Sequence, residues 1–211
     1  MIFDYLCSKN CSMVIEKFTE SDIGEAAGLA YPVWGVEHAD NGPGEKFGLL
    51  MCEYIVRYGW YGAPYAFKLT DGAAMKGFIL AGEIGRKNGY NEWLDSVMPT
   101  LDDSQKREAA ALRDYFGKMT PRVHGYMNAA DDLYLSFFLS SVRGGGKLLL
   151  NEVVSLARTE GYKNLYLWTD SSCNHEYYAC NRFELVAEFE SNEWATDTDD
   201  YLTYIYRKAI E

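Results

Sequence analysis

Leu133–Leu150, "LYLSFFLSSVRGGGKLLL", joins two apolar runs through three consecutive glycines. Glycine loses more backbone freedom on folding than any other residue, so a triplet needs a reason. The residues leading into it, "DDLYLSFFLS" (131–140), are almost continuously apolar and predict a strand buried on both faces. Those after it place Leu149, Leu150, Val153 and Ala157 on one helical face, which Gly161 ends as a C-cap. A strand, a glycine turn and a helix N-terminus together make an anion site. Unpaired N–H groups point outward there, and the helix dipole favours negative charge.

Two phosphate-binding patterns fit this stretch poorly. A P-loop needs G-x-x-x-x-G-K-[ST]. Gly146-Lys147 fits its middle, but Ser141 takes the first glycine position and Leu148 the hydroxyl position, so nothing there holds magnesium. A dinucleotide fold needs G-x-G-x-x-G and an acid after the next strand. Gly144, Gly146 and Asp170 satisfy part of it; Leu149 replaces the third glycine, and too little chain follows to complete a parallel sheet. A nicotinamide-binding domain is the weaker rival.

The run "SVRGGGKLLLNEVVSLARTEGYKNLYLWTD", followed by "YYACNRFELVAEF", resembles the GNAT N-acetyltransferase superfamily. That family's acyl-CoA loop reads [QR]-x-x-G-x-[GA], and a later segment reads [FY]-Y-x-x-x-G-F. Gly144 and Gly146 take the two small positions, and Tyr178 precedes Phe183 as the family's tyrosine does. The likeness spans Asp131 to Arg207. Ser141 stands where Gln or Arg is usual, with Arg143 two places on, and Arg182 replaces the glycine before Phe183.

The resemblance implies an α/β fold of the α+β type, with a mixed, mostly antiparallel sheet flanked by helices and splayed at its centre. It implies acetyl-CoA as acyl-donor substrate. The main-chain amides of Arg143, Gly144, Gly145, Gly146 and Lys147, with two cationic side chains, would hold the pyrophosphate. Phe138, Leu139 and Ser140 would meet the pantetheine arm through their backbone. Asn174 would hydrogen-bond that arm or cap a short helix. Tyr178 would be the general acid, since a phenol with a pKa of about 10 is protonated at neutral pH. Tyr177 beside it is expected to pack inward. Direct transfer needs no cysteine nucleophile, so Cys173 and Cys180 are read as structural. The activity implied is acetyl transfer to a primary amine of a small-molecule or peptide acceptor. The alternative is a non-catalytic acyl-CoA-binding or sensing module. The general base is not identifiable from the sequence: Glu83, Asp131 and Asp132 are candidates, and a water relay would leave no trace there. Family members often dimerise, so a homodimer is also expected.

The 211 residues suit one domain, 1–211, with a helical insertion at 86–127 in which no chemistry is legible. Upstream, "MVIEKF" alternates like a first strand, and Thr19 with Asp22 reads as a capping box opening a helix that Pro32 limits. Phe47, Leu50, Met51, Tyr54, Ile55 and Tyr58 recur at helical spacing, and Asp71-Gly72 marks a hairpin. A short helix and turn at "CNHEYYACNRF" and two antiparallel strands close the chain. A net charge of −11 argues against nucleic acid and anionic membrane as partners. Five cysteines without a CxxC pair read as reduced thiols, and three scattered histidines give no metal site. With no basic leader and no membrane-length apolar run, a cytoplasmic location is the expectation.

Overall fold

The structure is a computed structural model that describes residues 13–41, 44–62, 64–190 and 201–211. Its sheet contains the expected hairpin, β2 (Ala66–Asp71) and β3 (Ala74–Glu83), turned at Gly72-Ala73, one residue on from the Asp71-Gly72 pair that marks it. β1 (Met13–Lys17) pairs with β2, and β4 (Asp132–Ser140) pairs with β3, both antiparallel. β5 (Asn164–Asp170) runs parallel to β4. The antiparallel pair β6 (Glu184–Glu190) and β7 (Leu202–Ala209) completes the order β1-β2-β3-β4-β5-β7-β6 among the described residues. One parallel contact in an otherwise antiparallel sheet is the expected mixed architecture, and it excludes a parallel dinucleotide-binding sheet.

The sheet is split along that parallel contact. β4 and β5 pair only from Asp132 to Tyr134 against Asn164 to Tyr166, and then diverge. A bulge in β4 lies just past the last pair: Leu80 faces Phe137 while Ala81 faces Leu135, which leaves Ser136 as the extra residue. A bulge bends its strand and increases the local twist. The Ser136 hydroxyl holds the bend, donating to the carbonyls of Gly59 at 2.6 Å and Leu80 at 3.0 Å. β3 still satisfies one edge of Leu135–Ser140, while the edge facing β5 has no strand partner among the described residues.

Helices cover both faces. α6 (Gly145–Thr159) lays Leu149, Leu150, Val153 and Ala157 onto one face, beside Phe67, Leu69, Leu133 and Leu165. Each such leucine or valine contributes about 1.5–3 kcal/mol by leaving water. Its C-terminus closes with Gly161 at φ +87° and the Tyr162 N–H on the Ala157 carbonyl, as expected for a glycine cap. The other face carries α1 (Ile23–Ala30) and α3 (Glu45–Gly59), the latter burying Phe47, Met51, Tyr54, Ile55 and Tyr58. The Thr19–Asp22 capping box opens the first of these through a short 3-10 turn.

Pro32 does not end that helix. The chain widens into a π turn at Tyr31–Gly35 and continues as α2 (Val36–Asn41). Proline near the start of a turn lacks only an N–H that a widened helix can spare, so the helix passes through it. α4 (Tyr90–Val97) and α5 (Asp103–His124) make up most of 86–127, and Asp102 with Gln105 caps the second. α5 packs Ala109, Leu112, Phe116 and Met119 against the aromatic face of α3. α7 (Glu176–Cys180) is the expected short helix.

Candidate active site

The diverging strands enclose a cavity of about 560 Å³, walled by Leu135–Ser140 on one side and Leu167–Asp170 on the other. At one end lies the glycine turn, where each glycine answers a different demand. Gly144 caps α6 at φ +81°, a backbone that side chains with a Cβ rarely adopt. Gly145 is buried, and a Cβ on it would sit 2.5 Å from Ser140 Oγ and 2.7 Å from both Leu69 Cδ2 and Val142 Cγ2. Gly146 faces the cavity, where a Cβ would come within 3.0 Å of Phe138 Cζ and 3.2 Å of the Tyr177 hydroxyl.

The amides divide the same way. The Gly145 N–H bonds the Val142 carbonyl at 3.1 Å, and Leu148 N–H returns to the Gly144 carbonyl at 3.3 Å. The expectation that Gly145 faces a phosphate is therefore corrected: its N–H closes the turn and its Cα packs on the core. The N–H groups of Arg143, Gly144, Gly146 and Lys147 have no protein partner among the described residues. Ser140 steadies the turn, its hydroxyl donating to the Val142 carbonyl at 3.1 Å. Phe138, Leu139, Ser140, Gly144, Gly146, Lys147 and Asn174 all line the cavity, whereas the exposed Arg143 side chain does not. Asn174 does not cap α7 with its side chain; its carbonyl accepts from Tyr177 N–H at 3.3 Å.

Two tyrosines of α7 enter beside the turn. The Tyr177 hydroxyl is shut off from solvent without a hydrogen-bond partner among the described residues, next to Gly146, and its ring packs inward against Phe138 at 5.7 Å, as expected. Tyr178 lies against Tyr206, Phe183 and Tyr177 at ring distances of 5.6, 5.4 and 5.6 Å. Burial, then the neighbouring Cys173, Tyr177 and Asp170, push its phenol well above the ordinary tyrosine range. Burial and then Asp170 likewise push the Cys173 thiol up to about 11, so it is a protonated wall residue at neutral pH.

No family model matches the sequence, and no curated protein matches it. Solved structures do match, over nearly the full chain. The C-terminal condensation domain of Ebony, solved with beta-alanyl-dopamine, superposes with a TM-score of 0.56 at 10% identity, covering 95% of this chain and 100% of that one. A mosquito arylalkylamine N-acetyltransferase-like protein gives 0.52 at 14% identity, covering 94% and 100%. The Escherichia coli N-acetyltransferase of a ribosomal-protein alanine gives 0.51 at 12% identity, covering 94% of each chain. This chain has the GNAT N-acetyltransferase fold.

Within the GNAT fold, the cavity has a strongly aromatic lining. Trp34, Tyr58, Phe116, Phe137 and Trp168 line it. Tyr58 and Phe116 stack at 4.0 Å, and Trp34 tilts over Phe137 at 5.0 Å. The cavity's acidic and imidazole side chains are Glu37 and His38 from α2, and Asp170, which accepts from the Ser172 N–H at 3.1 Å and the Ser172 hydroxyl at 2.6 Å. α5 contributes Leu112, Tyr115 and Phe116 to the lining. The segment 86–127 therefore carries part of the site.

The three carboxylates considered as general base lie elsewhere. Glu83 accepts from the Tyr162 hydroxyl at 2.8 Å, and Asp131 pairs with Lys163 at 2.9 Å. Asp132 is buried where β4 and β5 still pair, accepting from Asn128 N–H and Asn164 Nδ2, each at 2.7 Å. None of them lines the cavity.

Proposed function

We propose that this chain transfers an acetyl group from acetyl-CoA to the primary amine of a small molecule with an apolar or aromatic body. The observation that carries this reading is the set of unpaired amides at Arg143, Gly144, Gly146 and Lys147, at the mouth of a cavity opened by the splayed strands. A diphosphate needs several N–H donors at once, and a helix N-terminus supplies them with favourable dipole. Gly146 leaves space for the phosphates, and the partnerless Tyr177 hydroxyl adjoins it. The unpaired edge of Leu135–Ser140 offers main-chain groups to an amide-bearing arm such as pantetheine. Lys147 and Arg143 add positive charge on a chain of net charge −11.

The acyl donor supplies an activated thioester; the chain's residues orient it and manage protons. Tyr178 holds a proton near the point where a leaving thiolate needs one. The aromatic chamber excludes water and accommodates an apolar acceptor, whose positive amine meets ring faces and Glu37. Similarity to solved structures such as the mosquito arylalkylamine N-acetyltransferase-like protein supports an amine acceptor. The test is calorimetry with acetyl-CoA, followed by a thiol-release assay over arylalkylamines, polyamines, amino acids and peptides. Saturable heat with acceptor-dependent thiol release, strongest for aromatic amines, is expected. Binding without release for any acceptor would make the chain a sensing module, and absence of binding would defeat the reading altogether.

A further inference from the structure

We infer that His38, held by Glu108, is the general base that deprotonates the acceptor amine; the inference rests on the acetyltransferase reading above. His38 Nδ1 lies 2.6 Å from Glu108 Oε1. His38 is 8% exposed and lines the cavity along with Trp34, Tyr115 and Phe116, whereas Glu108 does not. The carboxylate therefore sits behind the imidazole as seen from the substrate space. A carboxylate accepts hydrogen bonds, so it fixes the tautomer that carries its proton on Nδ1 and leaves the Nε2 lone pair free. That arrangement of base and orienting acid activates nucleophiles in unrelated enzymes. The two residues come from different parts of the chain: the π turn at Tyr31–Gly35 sets the direction of α2, and α5 brings Glu108 across.

An alkylammonium ion cannot attack a thioester until it loses a proton. His38 Nε2 takes that proton. The freed amine forms the new C–N bond, the C–S bond breaks, and the Tyr178 phenol protonates the departing thiolate. The remaining surplus N–H proton returns through water to the phenolate, and His38 releases its own to solvent. The sum consumes one ammonium ion and one thioester and yields one amide, one thiol and one proton. Glu108 is a positioning residue in this scheme, acting only through the imidazole.

Two measurements test the inference. The chain has three histidines, so the His38 ring nitrogens can be assigned in two-bond 15N–1H spectra by comparison with His38→Gln. In its neutral form His38 is expected to carry its proton on Nδ1, and Glu108→Gln to redistribute that proton between the two nitrogens. In the thiol-release assay, His38→Ala should lower kcat by roughly 10²-fold or more without changing acetyl-CoA affinity, and added imidazole should restore part of the rate. Wild-type turnover matched by His38→Ala, or a neutral His38 protonated on Nε2, overturns the dyad while leaving the acetyltransferase reading intact. A variant slow only because it is unfolded is recognised by a lowered melting temperature and no response to imidazole, and that result also counts against a base. No turnover by the wild type with any amine defeats both.

Discussion

The Phe183 N–H donates to the Tyr178 carbonyl at 3.0 Å, and that bond closes the turn that carries the candidate acid. The Arg182 N–H returns to Ala179 at 3.1 Å in the same turn, with Arg182 at φ +63°. The pair of bonds is a helix C-terminal motif whose left-handed position is normally glycine. Arginine there keeps the geometry at a steric cost of roughly 1–2 kcal/mol. It also places a cation near Lys208, whose ammonium burial and then Arg182 hold below its ordinary range. Arg182→Gly is therefore expected to stabilise the protein by about 1 kcal/mol, raising the melting temperature by about 2–4 °C. An unchanged or lowered melting temperature would show that the turn is unstrained.

The three glycines separate folding from binding. Gly145→Ala drives a Cβ into Ser140, Leu69 and Val142, and should cost about 1–3 kcal/mol as an overpacked core does. Gly144→Ala meets nothing within 4 Å but must hold φ +81°, a penalty of about 1 kcal/mol. Gly146→Ala needs only a few tenths of an ångström from Phe138 and Tyr177, so its effect on melting should be the smallest of the three, with the largest loss of acetyl-CoA affinity. Melting and calorimetry on the three variants check the two orders. A Gly146→Ala protein that binds like the wild type would place the diphosphate elsewhere.

The strand–glycine–helix segment was legible because its physics is local. Gly144 needs a left-handed backbone, Leu149 and Val153 share a helix face, and the segment from Asp131 onward follows one family order. The aromatic lining of the cavity was not legible, because it is assembled from residues distant in sequence. His38 and Glu108 stand 70 positions apart and meet only because the helix continues through Pro32. The spacing of Ala109, Leu112, Phe116 and Met119 does signal a buried face on α5, yet no pattern tells a cavity wall from a core wall. Glu83, Asp131 and Asp132 attracted attention at strand ends, but strand ends occur on both sides of a sheet, and these lie where β4 and β5 still pair or beside it. The sequence presents Gly145 as a phosphate contact like its neighbours; only packing distinguishes it from them.

His124 gives a pH prediction that does not depend on activity. It ends α5, where a helix dipole would favour a charged imidazole. Burial wins: the ring stands edge-on to Tyr134 at 5.3 Å, its Nε2 is shut off from solvent without a partner, and its pKa is lowered. A histidine whose folded pKa lies below its unfolded value of about 6.5 binds its proton more readily when unfolded. Its contribution is thus complete above that value and declines as pH falls below it. His124→Phe keeps the ring contact and removes the titration. Its urea midpoint should fall less than that of the wild type between pH 7.5 and pH 5.5; parallel losses would mean that His124 is proton-accessible in the native state.

Tyr178→Phe is the sharpest test of the proton donor. The ring contacts of Tyr178 with Phe183 and Tyr206 are ones a phenylalanine keeps, so the variant should fold with nearly unchanged stability. Among the described residues Tyr178 also makes no main-chain hydrogen bond to the glycine turn, so acetyl-CoA affinity should be preserved. Turnover should fall by roughly 10²-fold, the range for loss of one positioned acid. The elevated phenol pKa fixes the direction of the pH profile. An acid whose pKa lies above the ordinary value of about 10 remains protonated throughout the neutral and mildly alkaline range. Wild-type kcat should therefore show no alkaline decline from this group below about pH 10. A variant with equal turnover, or a wild-type rate that falls between pH 8 and pH 9 and loses that limb in Tyr178→Phe, would assign the thiolate's proton to another donor or to a phenol that is not shielded.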